Sequence, residues 1–307
     1  MKFRHWFDVN LSVALLILRG TRNWYAPFLY RFGLHSFNNV IFADGDRITI
    51  DGRLVTLSNL QWILRMKKDL PSSRIGYLED GRLTIALEGG LKFVADEFTL
   101  ETTLKTIDEQ FGLDLYRVKD ASLEGKTVID IGANIGDSAI LFASKGATVY
   151  AFEPVPRSFK TFTENISINN LRDKIFPFNV GLGTEAKVVE MGISPDSLIG
   201  FSVVKTAASR PVAYEKIRIV EALNFMKENG IGPCDFLKID CEGCENLLLR
   251  DLSLLNYLKP QKAAVEWHFG NRAGVVERLR SFYSEIEEVS ISESGDNGVV
   301  YAKRPFS

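Results

Sequence analysis

A short apolar stretch that runs directly into a glycine turn constrains the fold more than any other feature of this chain. Residues 128–136 read Val-Ile-Asp-Ile-Gly-Ala-Asn-Ile-Gly, and an apolar helical pattern follows. Gly132 and Gly136 lack side chains, which lets the backbone approach a ligand closely where a strand meets the N-terminus of a helix. The spacing is neither the dinucleotide fingerprint nor a P-loop, and an ordinary turn remains an alternative.

From about residue 97 onward, strand-like and helix-like stretches alternate, which is typical of βαβ units and a parallel sheet. The predicted strands cover residues 127–131, 148–152, 175–180, 187–191, 216–220, 236–240, 263–267, 287–290 and 298–302. The predicted helices cover residues 136–145, 157–168, 221–229, 245–251 and 273–284. A turn-rich segment at residues 295–298 predicts an antiparallel hairpin at the sheet edge. The pattern therefore predicts an α/β fold with a doubly wound, mostly parallel sheet.

The first 95 residues have a different pattern and predict a smaller α+β region. The sequence Asp-Gly-Arg-Leu occurs at residues 51–54 and 80–83, and each copy lies between β-like stretches, which predicts two hairpins. A helix is predicted between them at residues 57–70, ending at Pro71. We therefore predict an accessory region at residues 1–95 and a main α/β domain at residues 96–307.

The N-terminal segment is apolar on one helical face and basic overall. Residues 13–18 form an apolar run that is too short to span a bilayer, and Arg19 and Arg22 follow it without a small-residue cleavage site. We expect a helix that packs on the protein, with a peripheral membrane contact as the alternative. A cytoplasmic location is expected.

Composition narrows the class of protein further. A formal net charge of -2 offers no overall attraction for nucleic acid, so a nucleic-acid partner is not expected. The three cysteines, Cys234, Cys241 and Cys244, lie in one short segment, unlike the framework of a disulfide-rich secreted domain. The Cys-x-x-Cys spacing leaves a zinc site or a redox dithiol open, but it is only half of a usual zinc motif, and we expect no metal.

Two acidic residues point to the kind of ligand. Asp130 at the end of the first strand suits a ligand with a cationic amino group better than a pyrophosphate. Glu153 ends the next strand, about 20 residues beyond Gly132, where an acidic residue meets ribose hydroxyls in nucleotide sites of this topology.

A second group of polar residues follows two later strands. Asp240, Glu242 and Glu245 come directly after the apolar stretch at 236–239, and Glu266 and His268 close the next strand. Ligands of open α/β sheets bind beyond the carboxyl ends of the strands, so these side chains are expected to converge. Capping of the following helix is an alternative for Asp240 and Glu245, and a structural hydrogen bond is one for His268.

The chain resembles the FkbM-type methyltransferases, a family of Rossmann-like enzymes that use S-adenosylmethionine (AdoMet). The resemblance rests on Val-Ile-Asp-Ile-Gly-Ala-Asn-Ile-Gly-Asp at 128–137, Val-Tyr-Ala-Phe-Glu-Pro at 149–154 with Asn-Ile-Ser-Ile-Asn at 165–169, and Leu-Lys-Ile-Asp-Cys-Glu-Gly-Cys-Glu at 237–245 with Glu266-Trp-His268. It implies a seven-stranded methyltransferase sheet and, because known members mostly methylate hydroxyl oxygens, an O-methyltransferase of sugars, glycolipids or small natural products.

The resemblance also implies roles for individual residues. The expected cofactor-binding residues are Asp130, Gly132, Ala133, Asn134, Gly136, Glu153, Asn179 and Asp240. Asp240 and Glu242 would face the sulfonium and the acceptor, and either of them or His268 is a candidate base for the hydroxyl proton. Cys241 and Cys244 depart from the small or aliphatic residues usual at their positions. A nucleotide-dependent oxidoreductase and a non-catalytic scaffold of the same fold remain alternatives.

Overall fold

The computed structural model describes residues 40–41, 47–48, 57–96, 99–193, 213–250, 252–291 and 295–304. The chain divides into two compact units, Met1–Leu115 and Tyr116–Ser307. This division lies after the predicted boundary at residue 95 because the helix over Leu100–Ile107 packs on the helix over Leu57–Asp69. An accessory role for residues 1–95 remains a prediction.

The described residues of the first unit form short antiparallel strands and two helices. The strands are β1 (Val40–Ile41), β2 (Arg47–Ile48), β3 (Arg74–Tyr77), β4 (Leu83–Ala86) and β5 (Lys92–Ala95). The helices are α1 (Leu57–Asp69) and α2 (Leu100–Ile107), and α2 continues into one π turn, Asp108–Gly112. The predicted helix before Pro71 and the second predicted hairpin, with Gly81 at φ 83°, are confirmed. The first Asp-Gly-Arg-Leu copy and the predicted helix in residues 1–35 lie outside the described residues.

The second unit alternates strands and helices. Its strands are β6 (Thr127–Ile131), β7 (Thr148–Phe152), β8 (Ile175–Phe178), β9 (Gly181–Gly183), β10 (Lys187–Ile193), β11 (Ala213–Glu221), β12 (Phe236–Ile239), β13 (Lys262–Trp267), β14 (Glu285–Ser290) and β15 (Gly298–Lys303). Its helices are α3 (Asp137–Ser144), α4 (Pro156–Ile168), α5 (Ala222–Glu228), α6 (Glu245–Leu248), α7 (Ser253–Leu258) and α8 (Arg272–Arg280).

Seven strands form the central sheet in the order β14-β15-β13-β12-β6-β7-β8, which confirms the predicted α/β class. All neighbouring pairs are parallel except those of β15, which runs antiparallel to both β13 and β14 and supplies the predicted edge hairpin. The strand order reverses beside β6, since the chain continues to β7 on one side and β12 lies on the other. Ligands of such sheets bind at this switch point.

Local sequence explains why these elements form. Strands β6 and β12 are apolar throughout except for Asp130, Lys238 and the half-buried Thr127, as expected of central parallel strands covered on both faces. Helix α4 begins at Pro156, whose missing N–H is not needed in a first turn. Glu221 caps α5 by accepting hydrogen bonds from two backbone N–H groups of its first turn.

Strands β9, β10 and β11 differ from the prediction, because they form a separate three-stranded sheet. Strand β10 pairs antiparallel with β11, and β9 pairs parallel with it. None of the helices in the described part of the chain combines the length and apolar character that crossing a membrane requires. The cytoplasmic location and the membrane contact of residues 1–35 remain predictions.

Candidate active site

The glycine turn after β6 is shaped by close packing against other parts of the protein. Gly132 has φ 84° and Gly136 has φ 88°, both in the left-handed region that favours glycine. A Cβ atom on Gly132 would lie 1.7 Å from the carbonyl oxygen of Asp240, and one on Gly136 would lie 2.1 Å from the Phe162 ring. The glycines were predicted to let a ligand approach the backbone, whereas the structure shows protein atoms in both Cβ directions.

Asp130 lies inside the protein, beneath the turn. Its side chain is fully buried, accepts a 2.6 Å hydrogen bond from the Ser138 hydroxyl and lies 3.0 Å from the Lys238 ammonium. Lys238 also donates to the carbonyl oxygen of Gly132 at 2.6 Å and lies 3.7 Å from Asp240. Burial alone would lower the pKa of Lys238, but Asp130 and Asp240 raise it above its usual value, so the ammonium stays charged. A direct contact of Asp130 with a ligand remains a prediction.

Glu153 connects the turn to the end of β7. Its two carboxylate oxygens accept 2.8 Å hydrogen bonds from the backbone N–H groups of Asn134 and Val155. Burial raises the pKa of Glu153 to about 7, although these two hydrogen bonds oppose the shift. The exposed Asn179 amide donates to the carbonyl oxygen of Glu153 at 2.9 Å. The structure therefore brings Asn134, Glu153 and Asn179 together, with Ala133 buried beside them.

The loop between β12 and α6 is held by Glu245. Its carboxylate accepts hydrogen bonds from the backbone N–H groups of Cys241 at 3.0 Å and Gly243 at 2.9 Å. Glu242 has φ 53° and Gly243 φ 111°, so two consecutive residues adopt left-handed backbone, which is uncommon for a glutamate. Cys241 and Cys244 form a disulfide with a Cα–Cα distance of 5.5 Å. Glu245 therefore binds the preceding loop and does not cap its own helix, the alternative left open by the sequence.

His268 lies at the centre of a carboxylate cluster formed by Asp240, Glu242, Glu245 and Glu266. Its Nδ1 is 3.0 Å from Glu245 Oε1, and its Nε2 is 3.6 Å from Asp240, 3.8 Å from Glu242 and 3.7 Å from Glu266. Burial alone would lower the pKa of His268, but the hydrogen bond to Glu245 and the charges of Asp240 and Glu242 raise it to about 10. The predicted catalytic residues Asp240, Glu242 and His268 are therefore adjacent, and the protonated imidazole does not suit a base at neutral pH.

Sequence reasoning missed two residues of this cluster. The Tyr116 hydroxyl donates to Glu266 at 3.0 Å and lies 3.5 Å from Asp240, and the Lys238 ammonium stands 5.8 Å from the Tyr116 ring centre. A lysine within the apolar strand at 236–239 was a usable signal, because a buried ammonium requires carboxylate partners. Nothing in the sequence around Tyr116 distinguishes it from a core tyrosine.

The cysteines do not supply metal ligands in this structure. The sulfur atoms of Cys241 and Cys244 are bonded to each other, and Cys234 is buried in the core, where burial raises the pKa of its thiol to about 12. Asp240, Glu266 and His268 each offer one ligand atom, and these three atoms lie within 4.8 Å of one another. Oxygen and imidazole nitrogen are therefore the donors available to a metal here.

Comparison with known proteins identifies the family. Residues 130–288 match the family described as the methyltransferase FkbM domain, and this match covers more than half of the chain. The chain belongs to this family. The predicted FkbM resemblance is thereby confirmed.

Individual relatives are more distant. The hexuronic acid methyltransferase AglP of Haloferax volcanii is 27% identical over 130 residues, which are 42% of this chain and 51% of that protein. This chain therefore aligns with only about half the length of AglP. Among solved structures, methyltransferase FkbM from Methylobacillus flagellatus KT has a TM-score of 0.39 at 15% identity, covering 68% of this chain and 55% of that chain. An O-methyltransferase from Bacillus cereus, solved in complex with SAH, has a TM-score of 0.35 at 15% identity, covering 58% and 74%.

Proposed function

We propose that this FkbM family member transfers the methyl group of AdoMet to a hydroxyl oxygen of a sugar, a glycolipid or a small natural product. The observation that carries the proposal is the position of two groups of carboxylates. Glu153 directly follows β7, Asp240 and Glu242 follow β12, and Glu266 and His268 lie at the end of β13. All of them stand at the carboxyl ends of strands beside the switch point at β6, where a nucleoside and an acceptor can meet.

The residues present fit AdoMet. The Glu153 carboxylate retains lone pairs beyond its two backbone hydrogen bonds and can accept from both ribose hydroxyls. The surplus of carboxylates suits a ligand with a positively charged sulfur and an ammonium group. The residues that would hold the cofactor remain those proposed from the sequence: Asp130, Gly132, Ala133, Asn134, Gly136, Glu153, Asn179 and Asp240. AdoMet supplies an activated methyl group when bound.

The carboxylates of Asp240 and Glu242 are the better candidates for receiving the acceptor proton. The acceptor oxygen forms a bond to the methyl carbon as the carbon–sulfur bond breaks, and its hydroxyl proton passes to one of these carboxylates. Their side chains are 27% and 31% exposed, so both can reach a bound acceptor, whereas His268 is only 6% exposed and already protonated. A sugar acceptor is supported by the activity of the relative AglP on hexuronic acid.

The proposal is tested by incubating the protein with AdoMet carrying an isotopically labelled methyl group and with candidate glycans, glycolipids and small-molecule extracts. We expect a labelled methyl ether in one acceptor class by mass spectrometry, and its loss in Asp240→Asn. Isothermal titration with AdoMet and with NAD separates the alternatives. Binding of NAD alone would favour an oxidoreductase, and binding of neither would favour a scaffold.

A further inference from the structure

The Nε2 atom of His268 lies among three carboxylates. The His268 side chain is 6% exposed, and Nε2 faces one carboxylate oxygen each of Asp240, Glu242 and Glu266. These N···O distances, 3.6–3.8 Å, are longer than a hydrogen bond between nitrogen and oxygen. The buried Nε2 atom therefore faces three carboxylate oxygens, each of which lies beyond hydrogen-bond distance.

The opposite ring nitrogen is fixed by a hydrogen bond. Glu245 accepts from two backbone N–H groups, which identifies its carboxylate as an acceptor, so the Nδ1 atom of His268 is the donor in their 3.0 Å contact. A histidine that binds a metal through one nitrogen usually donates its other N–H to a carboxylate or a carbonyl group. Glu245 and His268 form that arrangement, with Nε2 in the ligand position.

The charges around this position favour a cation. Asp240, Glu242, Glu245 and Glu266 surround one imidazole. The neighbouring ammonium of Lys238 is shared among Asp130 at 3.0 Å, the carbonyl oxygen of Gly132 and, at the longer distance of 3.7 Å, Asp240. Four carboxylates this close together attract further positive charge, and Asp240 and Glu242, which are 27% and 31% exposed, leave the position open to a cation from solvent. The sulfonium of a cofactor would supply only one positive charge.

We propose that Asp240, Glu266 and the Nε2 atom of His268 bind a divalent cation, which takes the place of the proton on Nε2, with Glu242 at the edge of the site and Glu245 orienting the imidazole. Ligand atoms bound at about 2.1 Å in tetrahedral geometry lie about 3.4 Å apart. The observed spacings from Nε2 exceed this by only a few tenths of an ångström. For Mn²⁺ or Zn²⁺, an imidazole nitrogen with two carboxylates is a better set of ligands than oxygen atoms alone. This proposal replaces the expectation of no metal drawn from the sequence.

The role of the cation rests on the proposed function. A bound divalent ion with open positions can coordinate two neighbouring oxygens of an acceptor, such as a vicinal diol or a hydroxy acid. Coordination would lower the pKa of a bound hydroxyl and fix its oxygen for attack, and Glu242, which is outside the ligand set, would receive the hydroxyl proton. The acceptor class inferred here is therefore a compound with adjacent oxygen donors.

The test begins with metal binding and does not require an acceptor. Full-length protein, stripped with chelator, is titrated with Mn²⁺ and followed by calorimetry and by electron paramagnetic resonance of the free ion. We expect one ion per chain, with affinity reduced at least about 100-fold in Glu266→Gln and about 10–100-fold in Glu245→Gln. The matched control is Glu288→Gln, since Glu288 lies on the edge strand β14, outside the cluster, and pairs with Arg272 and Arg280.

Several results would overturn the proposal. Wild-type protein that binds neither Mn²⁺ nor Zn²⁺ would do so, as would Glu266→Gln protein that is folded by circular dichroism and binds Mn²⁺ like the wild type. Methyl transfer that proceeds equally after chelation would remove the catalytic role while leaving the proposed function intact. Stoichiometric Mn²⁺ binding that is sensitive to Glu266→Gln, without AdoMet binding, would support the metal site and count against methyl transfer.

Discussion

Lys238 lies in a strand whose four residues are all buried, and its ammonium holds Asp130, Asp240 and the carbonyl oxygen of Gly132. We expect Lys238→Met to destabilise the protein by about 3–5 kcal/mol, because removal of one partner leaves Asp130 buried without its cation. Urea denaturation measures the change. In Lys126→Met, which breaks the exposed pair with Asp235, we expect a loss of at most about 1 kcal/mol. Similar losses in the two variants would show that the Lys238 network is not stabilising.

Glu153 offers a prediction about cofactor binding. We expect Glu153→Gln to weaken AdoMet binding about 10–100-fold, because the charged acceptor of the ribose hydroxyls is lost. Burial raises the pKa of Glu153 to about 7, and the hydroxyls favour the ionised carboxylate. Wild-type affinity should therefore rise as the pH approaches 7 and level off above it, and the variant should show no such rise. Calorimetry between about pH 5.5 and 8.5, a range that brackets the pKa of Glu153, measures AdoMet affinity for the wild type and for Glu153→Gln. The control is Glu185→Gln, because Glu185 is exposed.

The sequence predicted which carboxylates meet, because the carboxyl ends of parallel strands share one edge of the sheet. The sequence did not predict the directions in which these carboxylate side chains point. Asp130 points inward to Ser138 and Lys238, and Glu245 turns back to its own loop because Glu242 and Gly243 adopt left-handed backbone. Such directions depend on backbone angles and on partners far apart in the chain.

At the scale of elements, the turn between β6 and α3 is packed against the loop after β12. We expect Gly132→Ala to destabilise the protein by several kcal/mol and to abolish AdoMet binding, because its Cβ would overlap the Asp240 carbonyl group. Gly230 also has positive φ, at 65°, but has open space around it. Gly230→Ala should therefore lose only about 1–2 kcal/mol from backbone strain. Thermal unfolding and AdoMet titration of both variants make the comparison.

The π turn after α2 contains a buried carboxylate whose Oδ1 atom makes no hydrogen bond, that of Asp108. Burial and the nearby charge of Asp69 raise the pKa of Asp108 to about 6. The folded chain thus binds this proton more tightly than the unfolded chain, so the stabilising contribution is complete below about pH 4 and is lost as the pH rises through about 6. We expect Asp108→Asn to be more stable than wild type by about 1–2 kcal/mol at pH 8 and equal to it near pH 4.

Denaturation at the two pH values measures this difference. The control is Asp80→Asn, since the exposed Asp80 has its pKa lowered by hydrogen bonds from Arg82. Neutralising Asp80 should give no gain at pH 8. A gain that is the same at both pH values for Asp108→Asn would contradict the electrostatic explanation.

Long, regular elements were predicted from the local sequence pattern. Very short elements, and the sheet to which a predicted strand belongs, were not. Helix α7 and strand β9 are only 6 and 3 residues long, too short to show a period. Strands β10 and β11 were predicted as strands but pair in a separate sheet, since alternation of apolar residues does not identify a partner strand. The number of strands in the central sheet followed from the family resemblance, and their order was not predicted.

At the scale of the whole molecule, ligand binding should act on one unit. We expect AdoMet at 100 times its dissociation constant to stabilise the unit Tyr116–Ser307 by about 2.7 kcal/mol through mass action. Hydrogen exchange should slow in β6, β7 and β12, whose ends carry the candidate site. Strands β3 to β5 of the other unit serve as the internal control, and protection limited to them would contradict the location proposed for the cofactor.

The network around Lys238 also has a thermodynamic consequence. One ammonium group holds the carbonyl oxygen of the glycine turn and the carboxylate of Asp240 at the same time. A donor molecule that shifts the turn would thereby alter the affinity of the protein for an acceptor, and linkage requires the acceptor to alter donor affinity by the same factor. Mutual enhancement of this kind would favour assembly of the ternary complex over either binary complex, which limits unproductive hydrolysis of the donor.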